Sequence, residues 1–167
     1  MSVEITEIKT GFKGFFSLMV YKVRHKMFNG SWTDVATREV FERGHSVGVL
    51  LHDPKARTVL LTEQFRLPAH LAGRAAWQYD IVAGKIDAGE TTEEVARREA
   101  EEESGCIITD LEHITTFMPS MGGCTETVTL YIANTDLSGV QGIYGRHDEN
   151  EDIRVTVEDV ETAFNMV

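Results

Sequence analysis

Residues 84–106 read GKIDAGETTEEVARREAEEESGC, a glycine-bracketed loop followed by a helix-length, glutamate-rich run. With Val95 as zero and about 100° per residue, Glu102 lies at about −20°, Glu99 at about +40°, Glu103 at about +80° and Ala96 at about +100°. Three carboxylates therefore share an arc with Val95, Ala96 and Ala100, the only apolar side chains the helix owns. That arc must face the protein body. Glu93, Glu94, Arg97 and Glu101 fill the opposite side, Arg97 and Glu101 at the i,i+4 spacing of helix ion pairs. A Glu-rich stretch ordinarily means a solvated acidic helix. Here, like charges one turn apart cost about 0.2–0.5 kcal/mol even on an exposed peptide, and more where water is partly excluded. A divalent cation removes that cost. Hard carboxylate oxygens suit Mg²⁺ or Mn²⁺, and no thiolate or imidazole set for zinc accompanies them.

The ends of the helix are also readable. Thr91 and Glu94 have capping-box spacing, and Gly105 stands where a left-handed C-terminal residue belongs, which predicts a helix over Thr92 to Ser104. Gly84 and Gly89 bracket the preceding loop, where bare backbone lets main-chain groups approach a phosphate or its metal.

The chain of 167 residues, 42% hydrophobic, is long enough for one domain with a sizeable core. Sixteen basic against 27 acidic residues give a net charge of −11, which argues against nucleic acid or anionic membrane as partners. A phosphate substrate stays compatible, because a cation turns a carboxylate-lined pocket into an anion site. The N-terminus MSVEITEIKT has no basic segment leading an apolar core and no run reaches membrane-span length, so the expected location is cytoplasmic. Cys106 and Cys124 form no CxxC pair and read as buried or half-buried thiols. His25, His45, His52, His70, His113 and His147 lack HExxH spacing and read as surface or hydrogen-bonded residues.

Strand signals dominate elsewhere. Stretches 16–28 and 32–43 flank Asn29-Gly30, a strong hairpin signal. Stretches 45–51 and 57–65 surround an Asp53-Pro54 turn, and 77–82 leads into the acidic segment. After the helix, 106–118, 126–133 and 152–157 read as strands and 158–166 as a second helix. The chain stops inside that helix, which implies a longer parent sequence. Helices interleaved with a mixed sheet imply an α/β class, an α/β/α sandwich to which the first hairpin is an addition.

The segment fits G-x5-E-x7-R-E-U-x-E-E-x-G-U through Gly84, Glu90, Arg98, Glu99, Glu102, Glu103 and Gly105. It resembles the Nudix box of the Nudix hydrolases, with Ala100 and Cys106 where larger aliphatics are common. The blocks FFSLMVYKVRHKMFNG (15–30), REVFERGH (38–45), EQFR (63–66) and GIYGRHDENEDIRV (142–155) are similar to bacterial ADP-ribose pyrophosphatases and cover most of the chain. The resemblance implies Mg²⁺-dependent hydrolysis of ADP-ribose to AMP and ribose 5-phosphate in a homodimer. It divides the chain into an N-terminal hairpin extension at 1–44, reaching across to the partner, and a Nudix hydrolase domain at 45–167. Metal binding is implied for the Ala83 carbonyl, Glu99, Glu103 and Glu151, with Arg98 and Glu102 assisting catalysis.

Hydrolysis also needs a base near the attacking water, and the acidic loop 148–152 offers Glu149, with Glu102 or a relay of waters as alternatives. As a guanidinium binds phosphate bidentately, Arg38 and Arg66 are candidates for the diphosphate, although a lone strand arginine is more often a surface charge. Phe15 is a candidate to stack on adenine from the partner subunit, against an ordinary core role. Glu126 matches a family position facing the terminal ribose. Its loop reads Ser120-Met121-Gly122-Gly123 where the family has Ser-Pro-Gly-Gly, and Asp80 stands where Glu is common, so the preferred sugar stays open. GDP-mannose or another sugar nucleotide is the alternative substrate. A noncatalytic ADP-ribose sensor is the alternative of a different class.

Overall fold

A computed structural model describes residues 2–166, except for the side chain of Glu149. The chain divides into two compact units. One holds the described residues up to His45 together with Phe117–Thr127, and the other holds Ser46–Thr116 and the described residues from Val128 onward.

In the first unit, β1 (Val3–Lys13), β2 (Ser17–His25) and β3 (Ala36–Glu42) form an antiparallel sheet in that order. The hairpin expected around Asn29-Gly30 is present: Gly30 takes φ of 86°, and Asn29 Oδ1 accepts from the Ser31 N–H at 3.0 Å and the Ser31 hydroxyl at 2.7 Å. The structure adds β1 to it. The period-two pattern of β1 is broken by register shifts between Ile5 and Glu7 and between Thr10 and Phe12, which hides the strand from a search for strict alternation. The segment Phe117–Thr127 is laced to β3, with Phe41 N–H donating to Gly123 O at 2.8 Å and Thr125 N–H to Phe41 O at 3.3 Å.

The second unit is built on a mixed sheet. It contains β4 (Ser46–Asp53), β5 (Thr58–Phe65), β6 (Trp77–Asp80), β7 (Val82–Lys85), β8 (Glu112–Phe117), β9 (Val128–Asn134), β10 (Gly142–Tyr144) and β11 (Ile153–Asp159). Its main path runs β10-β11-β5-β4-β9-β8. β4 and β5 pair only at their hairpin end, His52 with Val59 and Asp53 with Thr58. Beyond it, β7 pairs with β4 and β6 with β5. β9 runs parallel to β4 from Ser46/Val128 to His52/Asn134. The splayed strands set the β6–β7 segment, and so Ala83 and Gly84, beside the helix that follows.

That helix is α2 (Thr92–Ser104), with the boundaries that the caps predict. Thr91 accepts from the Glu94 N–H, Glu94 Oε2 accepts from the Thr91 N–H, and Gly105 closes the end at φ 70°. Its Val95, Ala96 and Ala100 are fully buried with Val47, Val49, Leu51, Leu60, Val82 and Val155 in the core. The other helices are short, α1 (Leu67–Leu71) after β5 and α3 (Val160–Asn165), the latter capped by Asp159. No helix is long and apolar enough to cross a membrane, among the described residues. Cys106 is buried and Cys124 half-buried, both as free thiols.

Candidate active site

The expected inward arc of α2 is inward. Glu103 is 2% exposed, and Glu99 and Glu102 are half-buried. Because the sheet backbone abuts this flank, Glu103 finds a main-chain partner: its Oε2 accepts from the Ala83 N–H at 3.0 Å. Ala83 stands opposite Gly48 in the antiparallel β4–β7 pair. Within an antiparallel strand a residue's N–H and C=O point to the same side, so the Ala83 carbonyl shares the side on which Glu103 lies.

Burial raises the Glu103 carboxyl to about 8 against the Ala83 hydrogen bond, with Glu99 and Glu151 adding repulsion and Arg66 opposing it. Glu99 is pushed up to about 7, again by burial first, against the pull of Arg98 and with Glu102 and Glu151 adding repulsion. Both shifts report carboxylates whose charge is disfavoured chiefly by burial. Glu151 comes from the loop before β11, and Arg66 from the N-terminal boundary of α1. The second unit therefore brings Glu99, Glu102, Glu103, Glu151 and Arg66 into one electrostatic neighbourhood. Among the described residues no three His, Cys, Asp or Glu side chains sit close enough to hold an ion as they stand. Arg98 holds one oxygen each of Glu99 and Glu102, and the Ala83 N–H holds one of Glu103.

Arg98 is the organising cation. Its Nε and Nη2 donate to the two oxygens of Glu90 at 3.0 and 3.3 Å, and its Nη1 donates to Glu99 at 2.7 Å and Glu102 at 3.2 Å. Partial burial disfavours its charge, yet Glu90 and Glu99 raise its pKa beyond the ordinary arginine value. Glu90 is held below the usual carboxylate range by Arg98 and then by the Asp87 N–H. The pattern gave Glu90 and Arg98 by register alone; their fork geometry is visible only in the fold. Gly84 has a steric reason, since a Cβ there would lie 1.9 Å from Glu99 Oε1. Arg97, expected as the i,i+4 neighbour of Glu101, donates its Nη1 to the Ile108 and Thr109 carbonyls at 2.7 and 2.9 Å, tying down the segment that leaves the helix.

Arg66 Nη2 donates to Asp80 Oδ2 at 3.2 Å, so the shortened acid at position 80 retains a partner. Arg38, Phe15 and Glu126 belong to the first unit. Arg38 is exposed on β3 and its Nη1 donates to the Thr37 carbonyl at 3.0 Å. Phe15 is 85% exposed and meets Phe16 edge-on, with ring centres 4.8 Å apart. Glu126 is buried and paired with Arg43 at 3.3 Å, and the Arg43 guanidinium lies 5.5 Å from the centre of the Phe16 ring. Arg43 escaped the sequence reading because its partner lies far away in the chain. The backbone of Glu149 lies in a short 3-10 turn, His147–Glu149, while its side chain falls outside the described residues. Three histidines have ordinary partners: His45 Nδ1 accepts from Thr127 N–H at 3.2 Å, His52 meets Asn134 at 3.1 Å, and His113 meets Thr116 at 3.1 Å.

The donor set around α2 consists of hard oxygens, and burial raises two of its carboxyls, Glu99 and Glu103. Hard oxygens of this kind suit Mg²⁺ or Mn²⁺, and among the described residues no thiolate or imidazole joins Glu99, Glu102, Glu103 and Glu151 in a zinc-like set.

Comparison with known proteins is consistent with this geometry. The family model described as the NUDIX domain matches residues 31–166. The chain is 42% identical over 165 residues to the ADP-ribose pyrophosphatase of Escherichia coli (strain K12), covering 99% of this chain and 79% of that protein. It is 37% identical over 165 residues to the ADP-ribose pyrophosphatase of Haemophilus influenzae, covering 97% and 76%. Against the GDP-mannose pyrophosphatase of Yersinia pestis (strain Pestoides F) it is 34% identical over 136 residues, covering 80% and 68%. A solved structure titled as an ADP compounds hydrolase superposes with a TM-score of 0.73 at 17% identity, over 99% of this chain and 83% of that one, a likeness of fold.

Proposed function

The chain belongs to the Nudix family as a pyrophosphohydrolase, and on that footing we propose that it hydrolyses the diphosphate bond of a nucleoside diphosphate-sugar. ADP-ribose, cleaved to AMP and ribose 5-phosphate, stands ahead of GDP-mannose and other sugar nucleotides, because the relatives matched over nearly the whole of this chain are named for it. The observation that carries the reading is the buried flank of α2, where Glu99 and Glu103 lie inward with carboxyls raised to about 7 and about 8. Catalysis is assigned to Mg²⁺, with Mn²⁺ able to replace it, held by the Ala83 carbonyl, Glu99, Glu103 and Glu151. Bound there, Mg²⁺ supplies neutralisation of the phosphoryl oxygens, a lowered water pKa and in-line alignment.

The chain's own groups do the rest. Glu149 takes the proton of the attacking water as the water's oxygen bonds to one phosphorus, and the bridging P–O bond breaks with its electron pair leaving on the oxygen of the other phosphate. Glu102 assists and is the alternative base. Arg98 keeps Glu99 and Glu102 in register, and Arg66 and Arg38 pair with the diphosphate. Phe15 stacks on adenine, and Glu126 receives the terminal ribose. A sensor is free to lose such side chains, whereas Glu99, Glu102, Glu103, Glu149 and Glu151 are all present.

Residues 1–44 are assigned to a homodimer contact that reaches across the partner, and 45–167 to the hydrolase domain. The exposure of Val3, Ile5, Ile8 and Phe12 on β1 supports that assignment. The enzyme is assigned to the cytoplasm. A panel of sugar nucleotides with Mg²⁺, assayed for nucleoside monophosphate, tests the substrate: ADP-ribose is expected to give the highest kcat/KM, and AMP release no faster than without enzyme would refute the reading.

A further inference from the structure

Glu151 sits on a loop outside α2, so something must hold that loop to the helix. The backbone there is tightly drawn. Gly145 takes φ of 101°, and a Cβ on it would lie 2.7 Å from the Glu151 Cβ, so the chain closes on itself at a point only glycine permits. Across this closure Arg146 makes contacts in both directions. Its N–H donates to Glu151 Oε2 at 3.1 Å, and its carbonyl accepts from the Glu151 N–H at 3.1 Å. Its guanidinium forks onto Asp148, Nε to Oδ1 at 3.2 Å and Nη2 to Oδ2 at 2.8 Å. Nη1 lies 3.8 Å from Glu102 Oε1 on α2, on the carboxylate whose other oxygen accepts from Arg98. The preceding Tyr144 packs over Gly105, the C-cap of α2, where an added Cβ would come within 3.1 Å of the ring.

We infer that Arg146 is a positioning residue that docks the acidic loop on α2 and so presents Glu151 to the Glu99–Glu103 flank. One side chain spans the loop through Asp148 and the helix through Glu102, while its own main chain orients Glu151. The main-chain contacts survive substitution; the side-chain span does not. The inference rests on the metal assignment made above, and its test therefore reads metal binding apart from turnover.

Full-length wild type, Arg146→Ala, Arg146→Lys and Asp148→Asn are titrated calorimetrically with Mn²⁺ without substrate, and then assayed for kcat and KM with ADP-ribose and Mg²⁺. Arg146→Ala weakens Mn²⁺ binding by roughly 10-fold, the scale of a lost outer partner to a ligand. It lowers kcat with KM for ADP-ribose nearly unchanged, and leaves far-ultraviolet circular dichroism unaltered. Arg146→Lys recovers part of the loss by keeping a cation near Glu102 without the fork. Asp148→Asn moves binding in the same direction by less, and decides the matter should the alanine variant not fold. Wild-type Mn²⁺ affinity in both Arg146→Ala and Asp148→Asn overturns the inference, as does a wild type that binds no Mn²⁺. A wild type that binds Mn²⁺ yet cleaves no sugar nucleotide defeats the proposed activity and leaves the calorimetric result to judge Arg146.

Discussion

Glu103 is a carboxylate placed where water is nearly gone, and its hydrogen bond comes from the neutral Ala83 N–H. Its value of about 8 in the fold, against an ordinary 4.5, means the native protein keeps a proton that the unfolded chain has released across that interval. Stability from this group is therefore fully present below pH 4.5 and is lost as pH rises through about 8; Glu99, at about 7, acts in the same direction. Thermal unfolding of the metal-free protein in chelator, followed from about pH 5 to about pH 8.5, should show Tm falling. Saturating Mg²⁺ should flatten that slope, because ligand binding stabilises the ionised native form. A metal-free Tm that climbs across the window contradicts the assignment. Gly84 offers a steric counterpart. In Gly84→Ala the new methyl meets Glu99 Oε1 at 1.9 Å and must expel that carboxylate. The expected cost is roughly 10–100-fold in kcat/KM with secondary structure intact, and wild-type activity in that variant would show that Glu99 can move freely.

At the scale of the element, α2 is stabilised by what surrounds it, since its inward face is half acidic and its apolar stripe narrow. Its reciprocal cap therefore matters. Thr91→Ala removes both hydroxyl bonds to Glu94 and should cost about 1 kcal/mol, seen as a Tm drop of roughly 2–4 °C. An unchanged Tm would mean that packing alone fixes the start of the helix. These caps explain why α2 could be read to the residue from sequence, since each signal lies within three positions of the boundary it sets. Other elements lack such local marks. α1 has five residues and β10 three, too few for any period to emerge. β1 carries apolar residues at Val3, Ile5 and Ile8, but its register shifts disturb the alternation. Among the proposed site residues, the inward placement of Glu99, Glu102 and Glu103 was legible from helical geometry. The forks of Arg98 on Glu90 and Arg146 on Asp148, and the pairing of Arg43 with Glu126, required the chain to be folded.

The molecule as a whole carries a charge of −11, yet its proposed substrate is an anion. Local cations must reverse the sign where the phosphates bind, so activity should depend on free divalent ion and vanish on chelation. The first unit displays apolar side chains out of proportion to a solvent-facing sheet, Val3, Ile5, Ile8 and Phe12 of β1 all standing exposed. Sedimentation should therefore give a homodimer, and Ile8→Glu should shift it toward the monomer. A wild-type monomer at micromolar concentration would remove the partner subunit from the substrate reading. The most direct test of the central claim, that α2 turns its carboxylates inward to hold cations, is the rate of AMP release from ADP-ribose by Glu103→Gln at saturating Mg²⁺. The account predicts a folded protein with turnover abolished, whereas undiminished AMP release would contradict it.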